Sequence, residues 1–320
     1  MKDLPFGSHD IRLAMLGMVE GNGHPYSWSA IFNGYDREHM AKCPYPSIPA
    51  YLFLEPYSNM SVPGAKVTHI WTDDPADAEI VARASLVPNI LERAEDCIGL
   101  VDAVIVATDK GFEHVERCRP FVEAGMPVFV DKPMVDNEED LKTFVRWVGG
   151  GARIMSASSM RYTKECMPYR ISRRELGSLR FVFSTMVKSL ERYGIHAFEG
   201  FYPIVGPGFL SVQCTTNGDR NVIHMDHECG ADIIVTVVKD MYGASGRIML
   251  GGTENCVTVR GLDSFFSFKS LLEAYISYLR TGERPFPFDE TVELMKLVIA
   301  SLRSRSEGGR RVALDEIRTD

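Results

Sequence analysis

The sequence predicts an α/β protein: a doubly wound parallel sheet followed by an α+β domain with a large, mostly antiparallel sheet. The 320 residues are enough for two hydrophobic cores. In the first half, short β-branched apolar segments alternate with helical patterns. From about residue 156 this alternation is lost, and strand patterns follow one another with few helices. We assign residues 1–134 to the first domain and 135–320 to the second, with the last helices free to pack back on the first domain.

Alternating strand and helix patterns predict the parallel sheet and the edge of it at which a ligand would bind. The predicted strands are residues 11–16, 66–72, 101–108, 127–130 and 152–155, and the predicted helices are 77–84, 90–94, 111–124 and 137–147. Ligands of such sheets bind beyond the carboxyl ends of the strands, so Asp131, Lys132 and Pro133 are expected at a cleft rim. Residues 21–63 predict a helix and an ordered loop. This segment either borders the cleft, with His24 contacting substrate, or is a surface elaboration.

The second domain is read from turn-separated strand patterns. Its predicted strands are residues 179–187, 209–215, 222–228, 233–238, 246–251 and 256–260, and helices are expected at 268–279 and 290–305. A broad apolar sheet face seldom stays exposed to water. We therefore expect a homo-oligomer.

Composition narrows the class of partner. The formal net charge of −8 disfavours nucleic acid and anionic membranes, which select basic surfaces, so a small-molecule partner is expected. A secretory leader pattern and an apolar run of about 18 residues are both missing, which predicts a cytoplasmic protein without a membrane span. His224, Asp226, His227 and Cys229 are metal-ligand types, but on a strand they alternate between two sides, so we expect no metal site.

The turn after the first predicted strand has part of a dinucleotide-binding pattern. Gly17 fits its first glycine, whereas Val19 stands where phosphate normally comes close and Glu20 adds a negative charge. Asp73 ends the second strand and could accept hydrogen bonds from the adenine ribose, although it lies 56 positions after Gly17 (73 − 17) instead of about 20. With no neighbouring arginine for a 2′-phosphate, this favours NAD over NADP. Alternatively, Asp73 and Asp74 only cap the next helix.

These motifs resemble a known family. Ala107-Thr108, His114 and the segment from Gly125 to Asp131-Lys132-Pro133 are similar to the glucose–fructose oxidoreductase, inositol dehydrogenase and rhizopine-catabolism (Gfo/Idh/MocA) family, with Asp131 at its usual glutamate. The resemblance extends over most of the chain. It implies a Rossmann domain that binds NAD and a catalytic Lys132. The implied cofactor contacts are Gly17, Val19, Glu20, Asp73, Ala107, Thr108, His114, Asp131, Lys132 and Pro133.

The second signature of that family is Asp-x-Gly-x-His, and here it reads Arg192-x-Gly194-x-His196. The resemblance makes His196 the acid or base of the reaction. Residues four apart share a helix face, so Arg192 is expected in the same cleft, unless it faces solvent in a degenerate site. With Arg161 and Lys132 it predicts an anionic substrate, such as a carboxylated sugar or polyol.

The step Arg161-Tyr162 resembles the family's arginine–aromatic pair and predicts two further substrate contacts, with a structural ion pair as an equal alternative for Arg161. The resemblance therefore implies a nicotinamide-dependent oxidoreductase that transfers a hydride from a sugar, polyol or sugar-acid hydroxyl to NAD. A non-catalytic ligand sensor on the same fold is one alternative. An NAD-dependent glycoside-cleaving enzyme is the other.

Overall fold

The computed structural model describes residues 9–320, and its first sheet is parallel throughout. The strands are β1 (Ile11–Leu16), β2 (Ala65–Trp71), β3 (Asn89–Ile90), β4 (Ala103–Val106), β5 (Val128–Val130) and β6 (Ile154–Ser156). Their order is β3-β2-β1-β4-β5-β6. The order reverses between β1 and β4, and that is where open α/β sheets have their ligand crevice. The predicted doubly wound sheet is confirmed.

Helices flank this sheet. They are α1 (His24–Asn33), α2 (Arg37–Met40), α3 (Ser47–Leu52), α4 (Pro75–Ala84), α5 (His114–Glu123) and α6 (Glu138–Gly149). Asp74 caps α4 by accepting a hydrogen bond from the Ala76 amide at 3.0 Å. The helix predicted at 90–94 is wrong. The edge of β2 satisfies the backbone there, since the Leu91 amide donates to the Ile70 carbonyl at 2.9 Å.

The segment 21–63 holds three helices instead of one, and it is not a surface elaboration. Trp28 of α1 is only 1% exposed and packs edge-on against Phe129 of β5. The segment thus contributes to the core beneath the carboxyl ends of the strands. This places the start of α1 at the cleft.

The second sheet is mixed. Its strands are β7 (Leu179–Val187), β8 (Phe209–Asn217), β9 (Arg220–His227), β10 (Asp232–Val238), β11 (Arg247–Gly252), β12 (Cys256–Arg260) and β13 (Val312–Ala313), in the order β12-β11-β7-β10-β9-β8-β13. Only the β7–β10 pair is parallel among the described pairings of this sheet. The remaining helices are α7 (Met167–Ile171), α8 (Leu190–Val205), α9 (Ser264–Thr281) and α10 (Phe288–Ser306).

One face of this sheet is buried against α8 and α10, where Ile233, Val235 and Val237 are fully covered. The other face carries the half-buried, stacked rings of Phe181 and Phe183. Assembly through that face stays a prediction. None of the helices in residues 9–320 is long and apolar enough to cross a bilayer.

The first core continues past residue 134, the predicted end of the first domain. Both α6 and β6 belong to the parallel sheet and its cover. In addition, α9 returns from the second domain, and the Tyr275 hydroxyl donates to the Val104 carbonyl at 3.3 Å. The first structural unit therefore consists of residues 9–156 together with α9, because the apolar side of α9 is buried on the parallel sheet.

Candidate active site

Asp131 is the buried centre of the cleft edge. It follows β5 and is fully covered, and its Oδ1 accepts the Lys132 amide at 2.7 Å. Its Oδ2 accepts the Asn22 side-chain amide at 3.0 Å and lies 2.6 Å from His24 Nδ1. Burial alone would raise the pKa of Asp131. The charges of His24 and Lys132 and the hydrogen bonds from both hold it well below its usual range, so the carboxylate is ionised.

His24 is fixed on two sides. Its ring stacks on Trp28 with centroids 4.3 Å apart, and the edge of Phe268 lies at 5.4 Å. The side chain is 15% exposed. The structure therefore places His24 at the cleft, held by Asp131, as the first residue of α1.

Lys132 lies between two buried carboxylates. Its Nζ is 3.6 Å from Asp109 Oδ2 and 3.9 Å from Asp131 Oδ1, and its side chain is 3% exposed. The same ammonium lies 5.3 Å from the centre of the Tyr193 ring. Sequence reasoning missed Asp109, although an acid three residues beyond the end of β4 was a signal for the cleft. Asp109 and Asp131 thus place two carboxylates beside the Lys132 side chain.

His196 approaches from the second domain. Ser189 starts α8 by accepting the Arg192 amide at 3.4 Å, and this helix carries the histidine one turn later. The His196 Nδ1 lies 2.6 Å from Ser158 Oγ, and its ring centre is 5.1 Å from that of Tyr193. Burial, reinforced by the positive charge of Lys132, holds the pKa of His196 well below its ordinary value. The imidazole is therefore neutral.

Arg192 crosses the cleft instead of facing solvent. Its Nη2 donates to Asp109 Oδ1 at 2.5 Å and to the Glu20 carbonyl at 2.9 Å. Its Nε is buried and has no partner among the described residues. The guanidinium thus joins α8 to the turn after β1 and leaves one donor free at that turn.

Arg161 and Tyr162 lie away from Lys132, in the packing beside α8. The Arg161 Nε donates to Glu199 at 2.6 Å and its Nη1 to Glu290 at 2.8 Å, with the side chain 7% exposed. The Tyr162 hydroxyl is buried and has no hydrogen-bond partner within residues 9–320. The charge of Arg161 is already compensated by two carboxylates, so this geometry favours the structural ion pair over substrate contact.

The turn after β1 has the backbone of a tight strand-to-helix connection. Gly17 has φ +85°, and a Cβ there would come within 2.7 Å of Thr108 Cγ2. Asp73 Oδ2 accepts the Met18 amide at 3.1 Å, and its Oδ1 lies 2.7 Å from Arg117 Nη2. The expectation of no arginine beside Asp73 is therefore wrong, because α5 folds back across the turn. Asp74, and not Asp73, caps α4.

His114 is not placed to touch a cofactor, contrary to the implied contact. It is fully buried, with Nδ1 2.9 Å from the Met134 carbonyl and Nε2 2.8 Å from the Thr108 carbonyl. Both ring nitrogens are used inside the protein. His114 therefore ties the loop after β4 to the loop after β5, and so positions Thr108 and Lys132.

The residues around this turn fit a dinucleotide. Asp73 is 38% exposed and keeps lone pairs for ribose hydroxyls. A cavity of about 230 Å³ lined by Leu16, Trp71 and Phe121 adjoins Arg117. At the other end, the Arg192 Nη2 donates to the Glu20 carbonyl and so places a guanidinium beside this turn. The Val19 side chain is 9% exposed, so it takes little of the surface.

The structure thus has a crevice at the reversal of a parallel sheet, with Lys132 from the first sheet and His196 from α8 beside it. Residues 49–153 match the family model described as "Oxidoreductase family, NAD-binding Rossmann fold" (GFO_IDH_MocA). The resemblance predicted from the motifs is confirmed, and the chain has the Gfo/Idh/MocA oxidoreductase fold. The matched stretch begins after the turn at Gly17. None of the curated proteins compared with the chain is similar to it in sequence.

Solved structures share the fold over almost the whole chain. A putative myo-inositol dehydrogenase from Sinorhizobium meliloti has a TM-score of 0.73 at 18% identity, covering 95% of this chain and 99% of its own. Scyllo-inositol dehydrogenase from Lactobacillus casei, with bound NAD(H) and scyllo-inositol, has 0.68 at 12%, covering 96% and 99%. An oxidoreductase from Agrobacterium radiobacter, in complex with NAD+, L-tartaric acid and magnesium, has 0.72 at 15%, covering 97% and 100%.

The metal-ligand types of β9 are used elsewhere. His224 Nε2 lies 3.2 Å from Asp232, and His227 Nε2 lies 3.1 Å from the Pro207 carbonyl. Across residues 9–320, no three His, Cys, Asp or Glu side chains are grouped to hold a metal ion.

Proposed function

We propose that this protein is an NAD-dependent oxidoreductase that takes a hydride from a hydroxyl-bearing carbon of a sugar, polyol or sugar acid. The observation that carries the proposal is that Lys132 and His196 both lie beside the Tyr193 ring. The two residues come from opposite sides of the cleft. A cation and a neutral imidazole are the two groups that an alcohol oxidation needs at the oxygen. NAD, when bound, supplies the hydride acceptor.

Lys132 would donate a hydrogen bond to the reacting oxygen and stabilise the negative charge that develops on it. Asp109 and Asp131 position its side chain before substrate arrives. His196 would accept the hydroxyl proton at Nε2, because Ser158 engages Nδ1. Its lowered pKa keeps the imidazole neutral and able to accept.

Asp73 would hold the adenine ribose, and its charge favours NAD over NADP. Arg117 does not reverse this preference, because its guanidinium is shared between Asp73 at 2.7 Å and Glu113 at 2.8 Å. A 2′-phosphate would have to displace one of these carboxylates. The turn at Gly17 would face the diphosphate, with the Arg192 guanidinium beside it.

The first test is thermal unfolding with NAD, NADH, NADP and NADPH in turn, because a ligand that binds only the folded state raises Tm. NAD and NADH should raise Tm, and Asp73→Asn should reduce that shift. Purified protein should then form NADH with members of a panel of polyols and sugar acids. A protein that shows no shift with any of the four nucleotides at several millimolar would contradict the proposal.

One observation favours a second candidate, a ligand sensor without turnover. Arg192 and Lys132 both pair with Asp109, and the Lys132 side chain is only 3% exposed. Under that function NAD or a sugar would raise Tm while NADH would never accumulate. Release of a sugar without net NADH would instead indicate NAD-dependent glycoside cleavage.

A further inference from the structure

A cavity of about 460 Å³ opens beside the start of α8. Its wall includes Gly21 of the first domain, the first turn of α8, and the loops that follow β7 and β10. Four cationic side chains line it: Lys188, Arg192, Lys239 and Arg305. The acids in its wall are Glu191 and Asp219. The cavity is therefore richer in positive than in negative charge.

Two of these cations already have counter-ions. Arg192 pairs with Asp109, and Arg305 forms a close ion pair with Glu191. Lys188 and Lys239 have no counter-ion, because no carboxylate of residues 9–320 lies within 4 Å of either ammonium. Lys188 instead donates to the Tyr193 hydroxyl. Asp219 is exposed at the cavity mouth and cannot balance both lysines.

Lys188 is held in this position by an unusual backbone. Its φ is +64°, in the left-handed region that non-glycine residues rarely adopt. Such residues cluster at functional sites, where the surrounding structure enforces them. Burial lowers the pKa of Lys188, and the nearby charges of Lys132 and Arg192 lower it further against the opposing effect of Asp109. The ammonium is thus kept in an electropositive environment without a counter-ion.

The cavity adjoins the proposed reaction site through one ring. The Tyr193 ring lies 4.2 Å from Lys188 Nζ and 5.3 Å from Lys132 Nζ. Lys132 is not among the residues that line the cavity, so a small molecule whose hydroxyl meets Lys132 would have to extend past the Tyr193 ring to reach Lys188. Arg161 already pairs with two carboxylates, whereas Lys188 and Lys239 pair with none, which favours the two lysines for this role.

We propose that Lys188 and Lys239 form a binding site for the carboxylate of the substrate, which makes the substrate a hydroxy acid or sugar acid. This inference rests on the proposed function, because it assigns the substrate class of the same site. Arg192 borders the site but stays paired with Asp109. A phosphate oxygen of the cofactor is the other source of an anion here, and the experiment separates the two.

The test compares ligands that differ only in charge. L-tartrate and L-threitol share a carbon skeleton and hydroxyl configuration, as do D-galacturonate and D-galactose except at C6. Calorimetric Kd values are measured for wild type, Lys188→Met/Lys239→Met and the control Lys66→Met, which alters an exposed lysine of β2. At least one acid should bind wild type and Lys66→Met at least tenfold more tightly than its neutral counterpart. The double variant should lose this tenfold preference for the acid, and Lys188→Arg should largely retain the preference.

Acids and neutral counterparts that bind alike, or a double variant that binds acids as wild type does, would overturn the inference. Loss of NAD binding with acid binding intact would assign the cavity to the cofactor phosphate and also overturn it. A failure of the oxidoreductase proposal is a different result, in which acids bind as expected but NAD gives no Tm shift and no NADH forms. Lys239→Met alone, at an exposed position, covers the case in which the double variant does not fold.

Discussion

The imidazole of His24 lies 2.6 Å from the carboxylate of Asp131, although 107 positions separate them in the sequence. This contact closes the cleft edge, because the start of α1 is held against the end of β5. It also explains how an ionised carboxylate is tolerated with no exposure to solvent, since each of its oxygens accepts a hydrogen bond.

Asp131→Asn should destabilise the fold by about 3–5 kcal/mol at pH 7, because it leaves His24 and Lys132 without their buried partner. The lowered pKa of Asp131 means that its contribution is present at neutral pH and is lost as pH falls through the acid range. Urea unfolding between pH 7 and pH 3 measures this, and the variant should show a shallower loss. Asp232→Asn, at a side chain 73% exposed, is the control and should match wild type. A stability change below about 1 kcal/mol would count against an ionised buried Asp131.

Lys132→Met should lower kcat/KM by about 10²- to 10⁴-fold, the usual contribution of a positioned acid or base. The shift of Tm with NAD should remain, because the ribose and diphosphate contacts lie elsewhere. Steady-state NADH formation and thermal unfolding measure the two effects, with Lys66→Met as the control. Retention of more than a tenth of wild-type activity would argue against Lys132 at the reacting oxygen.

His196→Gln should flatten the acid side of the stability profile. The pKa of His196 lies well below its ordinary value, so below about pH 6.5 the unfolded chain takes up a proton that the folded protein does not. Stability is therefore complete above that pH and falls below it, by at most about 1.4 kcal/mol per pH unit from this group. Unfolding at pH 7, 6 and 5 tests this. His39→Gln, whose side chain is 44% exposed, should retain the wild-type slope.

Arg161→Met should cost about 3–5 kcal/mol of stability, because it leaves buried Glu199 without its cation. KM for an accepted substrate should change little in the fraction that folds. A stable variant with a strongly raised KM would restore Arg161 as a substrate contact. Arg180→Met, at an exposed side chain on β7, controls for loss of an arginine.

Much of the fold could be predicted from local sequence patterns. The runs that became β1, β4 and β5 have the β-branched composition of buried strands, and α8 was implied by the four-residue spacing of Arg192 and His196. The sequence also pointed to Lys132 and His196, because strand ends and helix faces are local properties. A local pattern does not show which distant side chain compensates a charged residue.

The residues that sequence reasoning missed depend on contacts between distant segments of the chain. Asp109, Arg117 and Lys188 acquire their roles only when separate segments meet, as Arg117 does with Asp73 across 44 positions. The sequence leaves Arg161 open between substrate contact and a structural ion pair, because its carboxylates, Glu199 and Glu290, are 38 and 129 positions away. The segment 21–63 was underestimated since its helices are short and are stabilised by burial of their aromatic side chains.

The return of α9 to the parallel sheet interrupts the second sheet along the chain, because β7 to β12 precede α9 and β13 follows it. Residues 157–263 leave from β6 and come back as a helix whose Leu271, Leu272 and Tyr275 are fully buried. A fragment ending at residue 156 lacks α9. It would expose the apolar surface of the parallel sheet that α9 covers, and it should aggregate when produced alone. The cleft walls are consequently joined by three crossings of the chain, after β6, before α9 and between α9 and α10, which restrict how far they can separate to admit and release a ligand.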